Sequence, residues 1–315
     1  MNRPRDLVPD DAWIRSLRGE RNPVDPFLPY HFLIEKERTA SGAVEDVITV
    51  FLTNRECGFT CLMCDLWKNT TTDRVPDGAI LAQIRYALDR LPPAKHLKLY
   101  NSGNFFDPGA VPGSDYPAIA ALAEGFESLI VENHPRVGRQ RALRFAEILR
   151  PRLEVAMGLE TVHPEVLPLL NKKMLPRDFR SAVSFYREHG IGTRAFLLLR
   201  PPFLSEEEGV EWAKRSLDFA FDAGCGCCSV IPTRAGNGAM ELLMSRELFH
   251  PPSLDSLEDV LAYGIGLGAG RVFADTWDLG LFSSCPHCLP ARQERIEHMN
   301  HRQEILPPVP CPCRG

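Results

Sequence analysis

Three cysteines of this chain stand close together, at Cys57, Cys61 and Cys64, in the spacing Cys-x3-Cys-x2-Cys. Thiolates bind both zinc and iron–sulfur clusters, and a structural zinc site takes four ligands, usually from two CxxC pairs. Three thiolates on a four-iron cluster leave one iron without a protein ligand, which is the open position typical of a catalytic metal centre. We therefore predict that the triplet holds a [4Fe–4S] cluster able to bind a small molecule, with a distorted zinc loop as the alternative.

The remaining cysteines also occur in groups. Cys285 and Cys288 form one pair, and Cys311 and Cys313 form a second pair near the end of the chain. Four thiolates are enough for a closed zinc site or for a second, structural iron–sulfur cluster, and the alternative is a set of unliganded thiols. The cysteines at positions 225, 227 and 228 are spaced too tightly for a tetrahedral ligand set, so we predict that they are buried and inert.

Charge and hydropathy limit the classes of partner. The chain has 315 residues and a formal net charge of −5, so it lacks the basic excess of a protein that binds nucleic acid over a broad surface. No apolar run approaches the roughly 20 residues that span a bilayer, and the charged first thirty residues do not resemble a signal peptide. We expect a cytoplasmic protein without membrane contact, in which cysteines serve as metal ligands rather than as disulfides.

Positive charge is nevertheless concentrated in one stretch, between residues 136 and 152, where Glu147 is the only acid. The six arginines of this stretch are Arg136, Arg139, Arg141, Arg144, Arg150 and Arg152. On a helix such residues commonly form a solvated face. The alternative is a local strip that binds the phosphates of an RNA.

From about residue 46 the sequence alternates short β-branched apolar runs with stretches of helical period, the pattern of βα units and a parallel sheet. The six predicted strands are Val47 to Leu52, Leu97 to Tyr100, Leu129 to Glu132, Leu153 to Met157, Thr193 to Leu199 and Cys228 to Ile231. One predicted helix begins at a capping box of Ser205 with Glu208 and ends at Gly224.

Six such units suit either a doubly wound open sheet or a partial barrel. Polar residues at the carboxyl ends of the strands favour the barrel, because barrel enzymes assemble their sites there. These residues are Asn101, Ser102, Glu132, Glu160, Arg200 and Thr233. We predict an α/β fold, a partial TIM-type barrel of six βα units over residues 44–250. A proline-rich arm precedes it over residues 1–43, and a cysteine-bearing extension with the second metal site follows over residues 251–315.

The triplet, placed directly after the first strand of a βα repeat, resembles the signature of the radical S-adenosylmethionine (SAM) superfamily. Further segments resemble motifs of the subgroup that contains the catalytic subunit of Elongator. These segments are Leu99 to Asp107, Glu132 to Arg136, and Gly158 to Thr161, which is followed by Asn171 to Lys173. The archaeosine-biosynthesis radical SAM family is the most similar family that we identify. The likeness extends over residues 46–240 and includes, less fully, the cysteine-bearing tail.

This resemblance implies that the open iron binds SAM and that reduction cleaves SAM to a 5′-deoxyadenosyl radical. By the same resemblance, Ser102 and Gly103 contact the amino group of SAM, Glu132 or Arg136 its methionine part, and Glu160 its ribose or methionine part. Met63 lies where the superfamily often places an apolar side chain near the adenine, and plain packing is its alternative role. Asn101 to Asn104 departs from the Gly-Gly-Glu form of many relatives, so backbone carbonyls are expected to share the amino-group contact.

The resemblance also implies a substrate and partners. We expect a nucleobase of tRNA as the substrate, an electron donor of the flavodoxin or ferredoxin type, and a partner enzyme that modifies the same base. Two alternatives stay open at this point: a radical SAM enzyme that acts on a free small molecule, and a non-catalytic zinc or iron–sulfur module that docks proteins. His134 is the only histidine in a predicted site loop, which makes it a candidate for contact with SAM or substrate.

Overall fold

The computed structural model describes residues 7–311, which form one curved sheet surrounded by helices. The strands are β1 (His31–Arg38), β2 (Val44–Leu52), β3 (His96–Asn101), β4 (Ser128–Glu132), β5 (Arg152–Glu160), β6 (Gly192–Leu199), β7 (Cys227–Pro232) and β8 (Arg271–Ala274). The helices are α1 (Asp11–Ser16), α2 (Ala79–Leu88), α3 (Tyr116–Leu122), α4 (Arg139–Ile148), α5 (Val166–Leu169), α6 (Pro176–Glu188), α7 (Glu206–Ala223), α8 (Ala239–Ser245), α9 (Leu254–Gly266) and α10 (Leu289–Arg302).

The sheet runs in sequence order from β1 to β8. Strands β2 to β8 pair in parallel, and β1 pairs with β2 in the antiparallel sense. Strict sequence order with parallel pairing is the order of a barrel, since a doubly wound sheet reverses direction at a switch point. The predicted partial barrel is therefore confirmed, and all six predicted strands are present.

Two strands lie outside the six that the sequence predicted. β1 reads HFLIEKER, and its charged second half hides the apolar alternation by which a strand is recognised. β8 has four residues, too few to show a period. Because β1 precedes residue 44 and β8 follows residue 250, both flanking segments contribute to the sheet. The domain boundaries at those positions stay predictions.

The strands present apolar side chains to the helices, and charged and aromatic side chains to the inside of the curve. Leu97 and Leu99 of β3 belong to the core beneath the helices, whereas Lys98 between them points inward. There Glu37 of β1 accepts hydrogen bonds from Lys98 at 2.6 Å and from Arg194 of β6 at 2.6 and 3.0 Å. Side chains of non-adjacent strands thus meet, which a flat sheet would not allow.

We call this set of buried charges the interior ion network. Besides these three residues it includes Glu154 of β5, which pairs with Arg194 at 2.7 Å and with Arg271 of β8 at 3.1 Å. Arg194, Glu154 and Arg271 lie near the first residues of their strands. The network therefore lies at the amino-terminal end of the barrel, opposite the end at which barrel enzymes assemble their sites.

Local signals at helix ends appear as the sequence predicts. Ser205 caps α7 by accepting from the backbone N–H of Glu208, whose carboxylate accepts from the backbone N–H of Ser205 at 2.9 Å. Gly224 ends the helix with a φ of 99°, a left-handed conformation that glycine adopts at low cost. None of the helices in the described part of the chain combines the length and apolar character needed to cross a bilayer.

Candidate functional site

The cysteine triplet lies in the loop that follows β2, and two distant segments hold this loop in place. We call residues 53–65 the cysteine loop. The backbone N–H of Leu62 donates to the carbonyl of Leu170 at 2.9 Å. The Asn237 amide donates to the carbonyl of Leu62 at 2.7 Å, and the Asn171 amide donates to the carbonyl of Thr60 at 2.7 Å. The fold therefore positions the thiols through backbone contacts that do not involve a metal.

The three thiols lie in a desolvated environment. Burial raises the pKa of Cys57 to about 11 and the pKa of both Cys61 and Cys64 to about 12. The Sγ of Cys57 accepts from the backbone N–H of Phe59 and from the Asn104 amide, both at 3.4 Å. Because thiolate is the form that binds metal, binding at this loop must release protons.

The separation of the thiols distinguishes between two kinds of metal centre. In the part of the chain that the structure describes, two sets of three His, Cys, Asp or Glu residues bring their ligand atoms within 4.8 Å of one another, and the triplet is not among them. A single tetrahedral zinc ion holds its thiolates at about 2.3 Å and so draws their sulfurs closely together. A four-iron cluster is larger and takes ligands that are farther apart. The three sulfurs of the triplet are therefore spread more widely than the ligands of one tetrahedral ion.

A buried ion pair lies beside the thiols. Lys172 Nζ donates to Glu160 Oε1 at 2.6 Å, and both side chains are at most 10% exposed. Burial alone would lower the pKa of Lys172, but the Glu160 carboxylate and the thiols of Cys61 and Cys57 outweigh it, so that the net shift is upward. Lys172 thus places a fixed positive charge next to the thiols, where it favours their ionised form.

Glu160 is held at the end of β5 by an unusual backbone conformation. Its φ is 64°, in the left-handed region that non-glycine residues seldom adopt. A Cβ added to Gly158 would approach Glu160 Oε1 to 2.0 Å and Lys172 Nζ to 2.5 Å. Glycine at position 158 therefore leaves the space that the ion pair occupies.

The segment after β3 brings unpartnered polar atoms to the cysteine loop. Gly103 lies against Cys57, because a Cβ added to it would be 3.4 Å from the Cys57 Cβ. Both polar atoms of the Asn101 side chain and the hydroxyl of Ser102 are buried, without a hydrogen-bond partner in the described structure. Buried polar groups are nearly always hydrogen-bonded, so unpartnered ones beside the cysteine loop indicate a place for a polar ligand.

Glu132 ends β4 and lies within the electrostatic reach of Lys172. Burial raises the pKa of its carboxyl group to about 8, and a backbone hydrogen bond at Asn101 and the Lys172 charge only partly oppose this shift. The group is therefore largely protonated at neutral pH when no ligand is bound. A cationic ligand would shift it toward the carboxylate.

Of the other predicted residues near SAM, Arg136 is exposed and donates to the carbonyl of Lys173. Met63 is half-buried and packs against the small apolar cluster that includes Leu62. The structure thus brings Ser102 and Gly103 to the triplet and places Arg136 at the surface.

His134 supports the cysteine loop rather than holding a free ring nitrogen. Its ring stacks on Phe59 with the centroids 3.9 Å apart. One nitrogen lies 3.0 Å from the carbonyl of Lys172, and the other accepts from the backbone N–H of Arg136 at 3.2 Å. Burial and the nearby Lys172 charge lower the pKa of His134 to about 3, so the ring is neutral.

Aromatic rings line the inside of the barrel between the ion network and the cysteine loop. The ring centre of Phe51 of β2 lies 6.2 Å from that of Tyr100 of β3, and the ring centre of Tyr100 lies 5.9 Å from that of Phe196 of β6. Trp277, in the loop after β8, lies 5.7 Å from Phe51 and is half exposed. These rings form a surface on which a flat substrate can stack.

Sequence reasoning missed the two asparagines that position the cysteine loop most directly. Asn104 joins this loop to the loop after β4, because its amide donates to Cys57 and its Oδ1 accepts from the backbone N–H of His134 at 2.6 Å. Asn237 reaches the loop from 175 residues away. Asn104 lay within a motif already singled out, whereas Asn237 stands between glycines with no pattern around it.

The cysteines near the end of the chain also come together. The Sγ atoms of Cys285, Cys288 and Cys311 lie within 4.8 Å of one another, although 22 residues separate the last two. Hydrogen bonding to Cys311 is the main cause that raises the pKa of Cys288 to about 12, and burial and Cys285 add to it. Cys313, the fourth predicted ligand, lies outside the described residues. Three thiols at this separation can bind one metal ion.

The arginine stretch from residue 136 to residue 152 is largely engaged within the chain. Arg139 donates to the carbonyls of Pro135 and Asp178, and Arg141 donates to the carbonyl of Phe106 at 2.9 Å. The arginines thus serve partly as hydrogen-bond donors to loop carbonyls.

The cysteines at positions 225, 227 and 228 are buried, as predicted.

No family model matches the chain. It is 24% identical over 291 residues to an uncharacterized protein of Methanocaldococcus jannaschii, a match that covers 85% of this chain and 80% of that protein. It is 30% identical over 216 residues to archaeosine synthase subunit beta of Thermococcus kodakarensis (65% of this chain, 66% of the relative). It is 25% identical over 237 residues to archaeosine synthase subunit beta of Methanosarcina acetivorans (70% and 67%). The matches thus span about two thirds of each archaeosine synthase subunit.

Solved structures share the fold. Methylornithine synthase superposes with a TM-score of 0.52 at 14% identity, over 70% of this chain and 63% of that chain. The Elp3 protein of Methanocaldococcus infernus superposes with a TM-score of 0.51 at 14% identity, over 70% and 58%. At this identity the likeness concerns the architecture of the barrel.

Proposed function

The chain belongs to the radical SAM superfamily and is related to archaeosine synthase subunit beta, and from this premise we propose that Cys57, Cys61 and Cys64 hold a [4Fe–4S] cluster with one iron open to SAM. The observation that carries the proposal is the position of the three buried thiols. They lie at the carboxyl-terminal end of the barrel, beside the unpartnered polar atoms of Asn101 and Ser102.

When bound and reduced, such a cluster supplies the electron that cleaves SAM to a 5′-deoxyadenosyl radical, which abstracts a hydrogen atom from the substrate. The chain's own contribution is to hold the thiols, to exclude water and to balance charge. Lys172 supplies a positive charge next to the thiolates, and Glu160 keeps the Lys172 ammonium in that position.

We assign the predicted SAM contacts as follows. Ser102 and Gly103 bind the amino group, Glu132 or Arg136 the methionine part, and Glu160 the ribose or methionine part, while Met63 packs near the adenine. Glu132 supports this assignment because a carboxyl group desolvated next to the loop gains most when a cation approaches it.

Anaerobic reconstitution with iron and sulfide tests the cluster directly. We expect about four irons per chain after reconstitution, and 5′-deoxyadenosine after dithionite and SAM are added. Cys61→Ala should lose both the iron and the product, whereas the matched control Cys225→Ala, at a buried cysteine elsewhere, should keep both. Iron-loaded protein that forms no 5′-deoxyadenosine would favour the non-catalytic metal module.

We further propose that the substrate is a nucleobase in tRNA, that a flavodoxin or ferredoxin supplies the electron, and that a partner enzyme prepares the base. The name of the two relatives supports the first and third points, since both are called a subunit of archaeosine synthase. The aromatic lining by Phe51, Tyr100, Phe196 and Trp277 suits a flat ring. If 5′-deoxyadenosine formation rises with tRNA and not with free nucleosides, the tRNA substrate is supported; the reverse result supports a small molecule.

For the end of the chain we propose a zinc site with Cys285, Cys288 and Cys311 as ligands and Cys313 as the fourth. The close approach of three thiols fits the dimensions of a single ion, while a second iron–sulfur cluster is the alternative. Elemental analysis of protein purified without reconstitution distinguishes the two. One zinc per chain that survives iron removal supports the proposal, and iron with sulfide at these thiols contradicts it.

A further inference from the structure

A cavity of about 490 Å³ opens next to the cysteine loop, and arginines dominate its lining. The residues that line it are Arg15, Arg18, Arg21, Arg55, Glu56, Cys57 and Thr72. Four guanidinium groups against one carboxylate leave a formal surplus of three positive charges in a chain whose net charge is −5. We call it the arginine cavity. A local surplus of this size, facing a space of ligand dimensions, favours an anion.

Two of the guanidinium groups are held in place by the single carboxylate. Arg18 donates to Glu56 Oε1 at 2.6 Å, and Arg21 donates to Glu56 Oε2. Glu56 is itself fixed, because its backbone N–H donates to the carbonyl of Thr71 at 3.1 Å. The Arg18 guanidinium also lies 4.8 Å from the ring centre of Trp67. These two side chains are therefore preorganised.

The other two guanidinium groups have no such partner. Arg15 of α1 and Arg55 are both exposed and make no ion pair within residues 7–311. Arg55 lies against Gly109, where a Cβ would approach its Nη2 to 2.5 Å. The closest acid on α1, Asp11, accepts from Asn171 at 2.6 Å and lies 3.5 Å from Lys173. Arg15 and Arg55 are thus free to bind an external anion.

We propose that the arginine cavity binds a phosphodiester of the RNA substrate, next to the base that enters the barrel. Guanidinium forks match the geometry of phosphate oxygens and bind them in a bidentate manner. Cys57 itself lines the cavity, so a phosphate held there lies at the mouth of the proposed active site. The proposal rests on the proposed RNA substrate and moves its main phosphate contact away from the arginines at positions 136–152.

The arginine cavity is open to solvent, so a phosphate chain can reach it from outside the barrel. An RNA backbone can enter the cavity because each phosphate is a compact, fully exposed anion.

Binding of a fluorescently labelled tRNA transcript to the reconstituted protein, measured by anisotropy over a salt series, tests the assignment. The test variant is Arg15→Ala/Arg55→Ala. The matched control is Arg177→Ala/Arg246→Ala, which removes two exposed arginines outside the cavity. Iron content and thermal melting report whether each variant is folded, and Arg15→Lys/Arg55→Lys tests partial rescue by charge alone.

We expect the test variant to bind tRNA about tenfold or more weakly at low salt, since charge-assisted contacts are lost. The slope of log K against log salt should decrease by roughly 1.4 to 1.8, because each phosphate contact contributes roughly 0.7 to 0.9 to that slope. The control variant should keep the wild-type slope, and the lysine variant should recover part of it.

Several outcomes would overturn the proposal. If the wild type binds tRNA and the test variant keeps its affinity and slope, the cavity assignment alone fails. If the test variant loses binding of guanosine monophosphate while tRNA binding is unchanged, the cavity serves a free nucleotide. If it loses only the flavodoxin-dependent rate and keeps tRNA binding, the cavity docks the reductant. Wild-type protein that binds no tRNA even at low salt rejects the RNA substrate and, with it, this assignment.

Discussion

Side chains next to the cysteine loop carry charges that depend on one another. Glu160 and Lys172 are both buried and pair at 2.6 Å, so each compensates for the cost of removing the other from water. Glu132 is the opposite case, because its carboxyl group is desolvated and its pKa is raised to about 8. The site therefore combines one fixed ion pair with one carboxyl group that can change its charge near neutral pH.

Removal of the Glu160 charge should be costly. Glu160→Gln leaves the Lys172 ammonium buried without its partner, and loss of one member of a buried pair costs about 3–5 kcal/mol. We expect this loss in the free energy of unfolding of the metal-free protein, measured with urea. Glu211→Gln in the exposed pair with Arg215 is the control and should change stability by less than about 1 kcal/mol. Equal effects of the two substitutions would show that the Glu160–Lys172 pair has no special role.

Glu132 should make the stability of the metal-free protein depend on pH. The ordinary pKa of a glutamate is 4.5 and that of folded Glu132 is about 8, so between these values the folded state holds a proton that the unfolded state has released. Stability contributed by this group therefore decreases as pH rises from about 4.5 to about 8. In Glu132→Gln this decrease should be absent, as urea denaturation at pH 5, 6.5 and 8 will show. Parallel pH profiles for the two proteins would contradict the upward shift.

At the scale of the elements, β1 joins the barrel through charge as well as through backbone pairing. Glu37 of β1 reaches Lys98 of β3 and Arg194 of β6, whose side chains are otherwise buried. The antiparallel strand thus adds a carboxylate to the one that Glu154 of β5 contributes to the interior ion network. This explains why a strand with four charged residues is compatible with the interior of the fold.

Glu37→Gln should lower the free energy of unfolding by about 3–5 kcal/mol. The substitution removes a carboxylate that accepts hydrogen bonds from both Arg194 and Lys98, and these two buried cations then lack part of their compensating negative charge. Burial by itself would raise the pKa of Glu37, but Arg194 and Lys98 hold it far below its usual value. Its contribution is therefore present above pH 4.5 and is lost as the pH falls below that value. The variant should accordingly show a flatter stability profile in acid than the wild type.

An exposed ion pair between β1 and β2 provides the control. Asp46 of β2 pairs with Lys36 of β1 at 3.1 Å, but both side chains are exposed. Asp46→Asn should change the free energy of unfolding by less than about 1 kcal/mol. If Asp46→Asn destabilises as much as Glu37→Gln, pairing of β1 with β2 rather than the interior ion network accounts for the effect.

At the scale of the whole molecule, the two proposed metal sites lie on different parts of the chain. The triplet lies in the loop after β2 and is held by the segments after β5 and β7, whereas Cys285 and Cys288 precede α10 and Cys311 follows it. No ligand is shared, so we expect the sites to bind metal independently.

This independence can be measured by metal analysis of single variants. Cys288→Ser should lower the metal content at the end of the chain and leave the iron of the triplet unchanged after reconstitution. Cys64→Ala should do the reverse. If either substitution removes metal from both sites, the sites are coupled through folding, and melting temperatures of the two variants will reveal that coupling.

The sequence by itself determined the six central strands and predicted the metal ligands of the triplet, because both depend on residues close together in the chain. Short β-branched apolar runs predicted the six central strands, and the Ser205 capping box predicted the start of α7. The spacing of Cys57, Cys61 and Cys64 predicted the cluster ligands, which stay a prediction. β1 and β8 were missed, since charge in one and shortness in the other remove the local signal.

Only the tertiary structure decided which side chains meet. Glu37 and Arg194 are 157 residues apart, and Asn237 and Leu62 are 175 residues apart. Such contacts depend on how the strands curve and on where each loop returns to the barrel, and no local pattern encodes these distances. The arginine cavity also depends on contacts between distant parts of the chain. Arg15 belongs to α1 and Arg55 to the cysteine loop, and the tertiary fold places both in the lining of this cavity.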